Sequence, residues 1–197
     1  MVDRSADCIE YDKVYTVLHN LREAGENTDF SANNRKYLKE HLLKVPNLKC
    51  IVEIGVENNP DKNLTSTATI ITNKGDAAYF GVDILDRKHL DNEENKVYTI
   101  QTSSLNVDEV MNLVRSKGYE EIDFLFIDGW HSIDMCEAEW NAYTPFLSKN
   151  GIVGFHDTNH HPGPRWLLEN IDSTVWKLTN FPSDETKDFG IGFAWRR

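Results

Sequence analysis

Short apolar runs bounded by glycine or polar residues alternate along this chain with longer segments whose apolar positions recur every three or four residues. The clearest case begins with Ile122-Asp123-Phe124-Leu125-Phe126-Ile127-Asp128, an apolar run ending in a carboxylate, and continues through Gly129-Trp130-His131. A second apolar run closes with Gly154-Phe155-His156-Asp157-Thr158. Such runs are how strands buried on both faces of a parallel sheet look in sequence. Between them Ile133, Cys136, Trp140, Tyr143 and Leu147 form one apolar helical stripe. The pattern predicts a strand, helix, strand unit.

The rest of the chain reads the same way. Apolar spacing predicts a helix from Asp7 to Ala24 with Gly25 as its stop. A second helix from Ser31 to Val45 turns Tyr37, Leu38, His41, Leu42 and Val45 inward, and Pro46 ends it. Lys49 to Val56, Ala77 to Leu85 and Lys96 to Thr102 are the next strands. They alternate with a helix from Ser66 to Thr72, capped by Thr65 or Ser66, and one from Val107 to Lys117. Asn106 with Glu109 reads as the cap of the latter, which buries Val107, Val110, Met111 and Val114. A loop through Pro162-Gly163-Pro164 precedes a short helix from Trp166 to Ile171. Ser173 to Phe181 and Asp188 to Trp195, joined by the turn Pro182-Ser183-Asp184-Glu185, read as a closing antiparallel pair at the sheet edge. The order predicts an α/β fold: a Rossmann-like, doubly wound, mostly parallel seven-stranded sheet with an antiparallel last strand and helices on both faces. One domain over residues 1–197 is expected, with 1–46 as a helical cover and 47–197 as the core.

Parallel strands point the same way, so Asp128 and Asp157 emerge together on the edge where open α/β sheets bind ligands. With His131 and His156 they make a constellation suited to a metal ion or to proton transfer. Capping of the following turns is the alternative reading of each carboxylate. Glu53 and Gly55 end the first core strand, and a glycine there permits a tight turn and close approach of a ligand. The two further glycines of a dinucleotide loop are absent, and Asn58-Asn59-Pro60 stand in their place. Asp83, at the end of the second core strand, suits a ribose hydroxyl; the alternative is a solvated carboxylate beside Asp86, Asp91, Glu93 and Glu94. His160, His161 and Trp166 are placed to roof a pocket or to face solvent.

A net charge of −11 argues against a surface for a nucleic-acid backbone. Cys8, Cys50 and Cys136 lack metal-type spacing; Cys50 and Cys136 lie in apolar patterns as core thiols, and a reducing, cytoplasmic compartment is expected. No apolar run approaches the ~18 residues of a membrane span.

Phe126-Ile127-Asp128-Gly129-Trp130-His131-Ser132, then Pro145 to Val153, Phe155-His156-Asp157-Thr158 and Phe189-Gly190-Ile191-Gly192-Phe193 resemble the class I S-adenosylmethionine-dependent methyltransferases. They look most like the small O-methyltransferases related to catechol-type and macrolide-sugar enzymes. The resemblance implies cofactor contacts at Glu53, Gly55, Asp83, Ser103, Ser104 and Asp128, with the two serines near the adenine. It implies catalytic roles for Asp128 and for His131 as base, and a divalent metal, magnesium, on Asp128 and Asp157. Thr158 stands where catechol-type enzymes have an amide ligand, which makes it a candidate third ligand. The implied substrate is a hydroxyl on a small molecule or sugar, with no membrane partner; a homodimer is compatible with this. Two readings compete with it: a catalytically degenerate binding protein on the same fold, and a nicotinamide-dependent oxidoreductase.

Overall fold

The computed structural model describes residues 30–56, 64–159, 161–181 and 189–197. The expected helix from Asp7 to Ala24, the Asn58-Asn59-Pro60 loop, His160 and the turn at Pro182 to Glu185 lie outside the described residues.

Seven strands form one sheet: β1 Cys50–Ile54, β2 Ala78–Asp83, β3 Val97–Gln101, β4 Ile122–Ile127, β5 Leu147–His156, β6 Trp176–Phe181 and β7 Ile191–Arg196, in the order β3-β2-β1-β4-β5-β7-β6. The first five in that order pair in parallel, and β7 runs antiparallel to both β5 and β6. The sheet is therefore mostly parallel with its last strand reversed, as expected. All five residues of β1 are buried, because helices cover both faces of a parallel sheet.

The side-chain alternation of the strands sorts the core into two layers. Cys50, Val52, Ile54, Phe80 and Leu125 pack with α3 (Val107–Ser116), α4 (Ile133–Tyr143) and α5 (Pro162–Asn170) through Val110, Met111, Val114, Cys136, Tyr143 and Leu167. Ile51, Tyr79, Phe124 and Phe126 face α1 (Ala32–Leu42) and α2 (Ser66–Asn73), which contribute Leu38, Leu42 and Ile70. Three helices begin at side-chain caps: Ser31 accepts from Asn34 N, Thr65 from Ala68 N and Ser132 from Met135 N.

Three local expectations are corrected. Asn106 makes no side-chain cap; Glu109 instead accepts from the Thr102 hydroxyl at 2.6 Å, and Asn106 donates to that same hydroxyl at 2.9 Å. Val107 is half-buried rather than core. Helix α5 begins at Pro162, four positions before Trp166, because a proline in the first turn loses no intrahelical hydrogen bond.

The order of strands reverses between β1 and β4, and at such a switch point the connections leave in opposite directions and open a crevice. Gly55 turns the chain there with φ +82°, and an added Cβ would lie 2.1 Å from the Asp128 carbonyl oxygen. Only glycine lets the end of β1 pass over the end of β4 in this way.

Candidate functional site

Asp128 follows β4 and Asp157 follows β5, so the register of the two strands sets both carboxylates on one rim. Asp157 takes a left-handed backbone at φ 61°, which aspartate tolerates better than most residues and which turns its side chain back over the strand end. His131 is held in the turn before α4: Ser132 caps that helix, and Gly163 N donates to the His131 carbonyl at 3.0 Å.

Three imidazoles surround the two carboxylates. His131 Nε2 lies 3.0 Å from Asp157 Oδ2 and 3.5 Å from Asp128 Oδ1. His156 Nδ1 lies 3.1 Å from Asp128 Oδ1 and 3.1 Å from Asp157 Oδ1, and hydrogen-bonds the former. His161 Nε2 lies 3.3 Å from Asp157 Oδ2. Ser66 donates to Asp128 Oδ2 at 3.3 Å. Asn34 Nδ2 sits 3.1 Å from His156 Nε2, so α1 both covers the sheet and closes the site.

Burial acts against charge on every one of these groups, and their mutual attraction outweighs it for most. Asp157 and Asp128 raise His131 well above its ordinary value despite its burial, and His156 is raised for the same reason. In return His156 and His131 hold Asp128 and Asp157 below the usual carboxylate range. His161 goes the other way: burial, reinforced by repulsion from His131, pushes it down to about 4.

Asp128, His131 and Asp157 each offer a donor atom within 4.8 Å of the other two. Asp157 Oδ1 is buried with no aligned hydrogen-bond donor, because the 3.1 Å approach of His156 Nδ1 has the wrong direction. Two hard oxygens, a borderline nitrogen and an orphaned buried acceptor fit a divalent cation. The Thr158 hydroxyl, the expected third ligand, is committed as a donor to Asn180 Oδ1 at 2.7 Å.

The residues expected at a cofactor divide. Asp83, at the end of β2, accepts from Val56 N just beyond β1 at 3.0 Å and from Arg87 Nε at 3.1 Å on Oδ2, and from Leu85 N at 2.8 Å on Oδ1. An ionised carboxylate has about four acceptor positions, so room remains for one further donor. Glu53 is fully buried, and its Oε2 accepts from Thr67 at 2.8 Å and from the Tyr79 hydroxyl. Burial pushes Glu53 up to about 7. The bonds to Thr67 and Tyr79 make it a brace between β1, β2 and α2. Ser103 is exposed, whereas Ser104 is buried and donates to Glu139 Oε1 at 2.6 Å. Of the aromatics near the rim, Trp130 is exposed, Trp166 packs against the core and Phe155 is a core residue.

Sequence reasoning missed Asn34, Ser66, Arg87 and Glu139. A polar residue on an otherwise apolar stripe is the signal that could have found two of them. Asn34 shares the buried face of α1 with Leu38, His41 and Leu42, and Glu139 that of α4 with Cys136 and Tyr143.

The fold is the Rossmann-like one of the methyltransferase structures it resembles. A family model described as a methyltransferase domain matches residues 12–158, and the chain belongs to that family. Among solved structures, a candidate caffeoyl-CoA O-methyltransferase from Staphylococcus aureus is 16% identical with a TM-score of 0.65, covering 92% of this chain and 91% of its own. MycE, a methyltransferase from the mycinamycin biosynthetic pathway in complex with Mg, SAH and mycinamycin VI, is 16% identical with a TM-score of 0.60. That match covers 83% of this chain and 49% of MycE, so the chain spans about half of MycE's length. No curated protein matches the chain. Among the described residues, no helix is long and apolar enough to cross a membrane.

Proposed function

We propose that this chain transfers a methyl group from S-adenosylmethionine to a hydroxyl of a small molecule or sugar, with a divalent cation held by Asp128 and Asp157. The observation that carries the reading is the meeting of Asp128, His131 and Asp157 at the carboxyl edge of a methyltransferase-family sheet. When bound, S-adenosylmethionine supplies an electrophilic methyl, and a divalent cation supplies the charge that makes a hydroxyl more acidic.

The protein's own part is alignment and proton management. His131 is the base, and Nε2 is the atom that takes the hydroxyl proton. It can do so only while Asp157 is satisfied by positive charge other than the imidazolium, because Asp157 otherwise keeps that ring protonated. His156 stays between the two carboxylates, with Asn34 behind it, and keeps them from turning outward. In this reading Gly55, Asp83, Ser104 and Asp128 frame the cofactor, and the acceptor position left on Asp83 serves a ribose hydroxyl. Two carboxylate oxygens suit Mg²⁺, and adding imidazole nitrogen favours Mn²⁺ or Fe²⁺.

Calorimetric titration with S-adenosylmethionine, with Mg²⁺ or Mn²⁺ present and absent, tests the reading. Saturable cofactor binding and cation binding that Asp128→Asn removes are expected, followed by methyl transfer to a panel of hydroxyl acceptors. Absence of cofactor binding under all these conditions would leave the degenerate binding protein as the better account.

A further inference from the structure

At the opposite edge of the sheet from the carboxylates lies a cavity of about 470 Å³, between the end of α1, the start of β5 and the end of β7. His41, Lys44, Pro46, Ile152, Trp195 and Arg196 line it, with the Lys149 to Gly151 segment as one wall. Two lysines, Lys44 and Lys149, border it, and no carboxylate does; the Arg196 guanidinium turns away from it, donating to the Thr144 carbonyl at 3.3 Å and lying over the Trp176 ring. In a chain of net charge −11 such cations ordinarily sit among acids, yet among the described residues neither lysine forms an ion pair.

The walls are fixed by the fold. The β4–β5 register jumps from Ile122↔Leu147 to Phe124↔Ile152, so residues 148–151 bulge out opposite Asp123. Asp123 anchors that bulge, accepting from Ser148 Oγ at 2.7 Å and from the amides of Lys49 and Cys50 at 2.8 and 3.1 Å. His41 is 2% exposed and stacks on Phe193 at 3.9 Å. Its Nδ1 lies 2.8 Å from the Tyr37 carbonyl, which can only accept, so Nδ1 carries the proton and Nε2 accepts from Lys44 Nζ at 3.3 Å. Lys44 is thus oriented by a neutral ring and keeps its charge uncompensated. Ile152 and Trp195 give the cavity an apolar side.

A volume within the ~300–1,000 Å³ of small-molecule sites is too large for a bare inorganic ion. We propose that this cavity is a second binding site, separate from the carboxylate and imidazole cluster, for a small anion whose carboxylate or phosphate is carried on a flat apolar body. The charged group meets Lys44 and Lys149, and the body lies against Ile152 and Trp195.

Calorimetry of the full chain with 2-naphthoate, 2-naphthyl phosphate and the uncharged 2-naphthylmethanol tests this. Nuclear magnetic resonance follows the Trp195 indole N–H, assigned with Trp195→Phe. At least one of the two anions is expected to bind saturably and to shift the Trp195 signal; which one tells carboxylate from phosphate. The alcohol is expected to bind at least about tenfold more weakly, and Lys44→Ala with Lys149→Ala to weaken the anion at least about tenfold at an unchanged melting temperature. Equal binding of the alcohol, undiminished binding to the double variant, or no binding of either anion would each overturn the proposal. The two substituted lysines are exposed and lie outside the methyltransferase site, so its cofactor binding serves as the control.

Discussion

The Nε2 atom of His131 lies 3.0 Å from Oδ2 of Asp157, although one residue follows β4 and the other follows β5. Both side chains are nearly out of solvent, at 10% and 9% exposure, so removing one partner costs far more than breaking a surface contact. Replacing Asp157 with asparagine strands His131 and His156 without their main counter-charge. A loss on the order of 3 kcal/mol is expected in the urea-unfolding free energy of the metal-free protein near pH 6. An unchanged midpoint would mean that the imidazoles are neutral in the folded state.

His131→Gln tests the base separately. General-base removal ordinarily costs about 10²–10⁴-fold in rate. The expected outcome is a fall of that size in methyl transfer with S-adenosylmethionine affinity, read by calorimetry, within about threefold of the parent.

Thr158 donates its hydroxyl to Asn180 and is 1% exposed. Thr158→Val is therefore expected to lower stability by about 1 kcal/mol, the net worth of one buried hydrogen bond, with Asn180 left short of a donor. Divalent cation affinity is expected to be unchanged within a factor of about three. A large loss of cation affinity would restore Thr158 to the ligand set.

Gly163 packs against the backbone that carries His131: an added Cβ would stand 2.5 Å from the Ser132 carbonyl oxygen and 2.6 Å from that of His131. Neither atom can yield without moving the turn. Gly163→Ala is expected to cost about 1–3 kcal/mol in stability, as overpacking does, and to reduce turnover more than cofactor affinity.

Glu139 carries a pH signature outside the cluster of Asp128, His131 and Asp157. It is 1% exposed, and burial pushes it up to about 7 from an ordinary 4.5, against the Ser104 hydrogen bond and the nearby His131. The folded state therefore binds a proton that the unfolded state has released between those values. Stability conferred by that proton is present below about 4.5 and is lost as pH rises to about 7. Relative to the parent, Glu139→Gln is expected to gain roughly 3 kcal/mol of unfolding free energy between pH 4.5 and 8. Parallel stability curves for the two proteins would show that Glu139 ionises normally.

The sheet, its direction and the positions of Asp128 and Asp157 were legible in the sequence because they follow from local pattern. Apolar runs such as Phe124-Leu125-Phe126-Ile127 have one economical placement, between helical layers, and a parallel strand delivers its last residue to a known edge. The helix caps at Ser31, Thr65 and Ser132 were readable or nearly so, since a capping bond spans three residues. What the sequence could not decide depends on groups far apart along the chain meeting at atomic distance. Only the tertiary structure turns Thr158 toward Asn180, brings Asn34 from α1 to His156, and commits most of the Asp83 carboxylate to Arg87 and backbone amides. Hydrogen bonds act over about 3 Å and in set directions, so the choice of partner is made by packing and register. Hydrophobic periodicity fixes which residues are inside; it says nothing of which of them face one another.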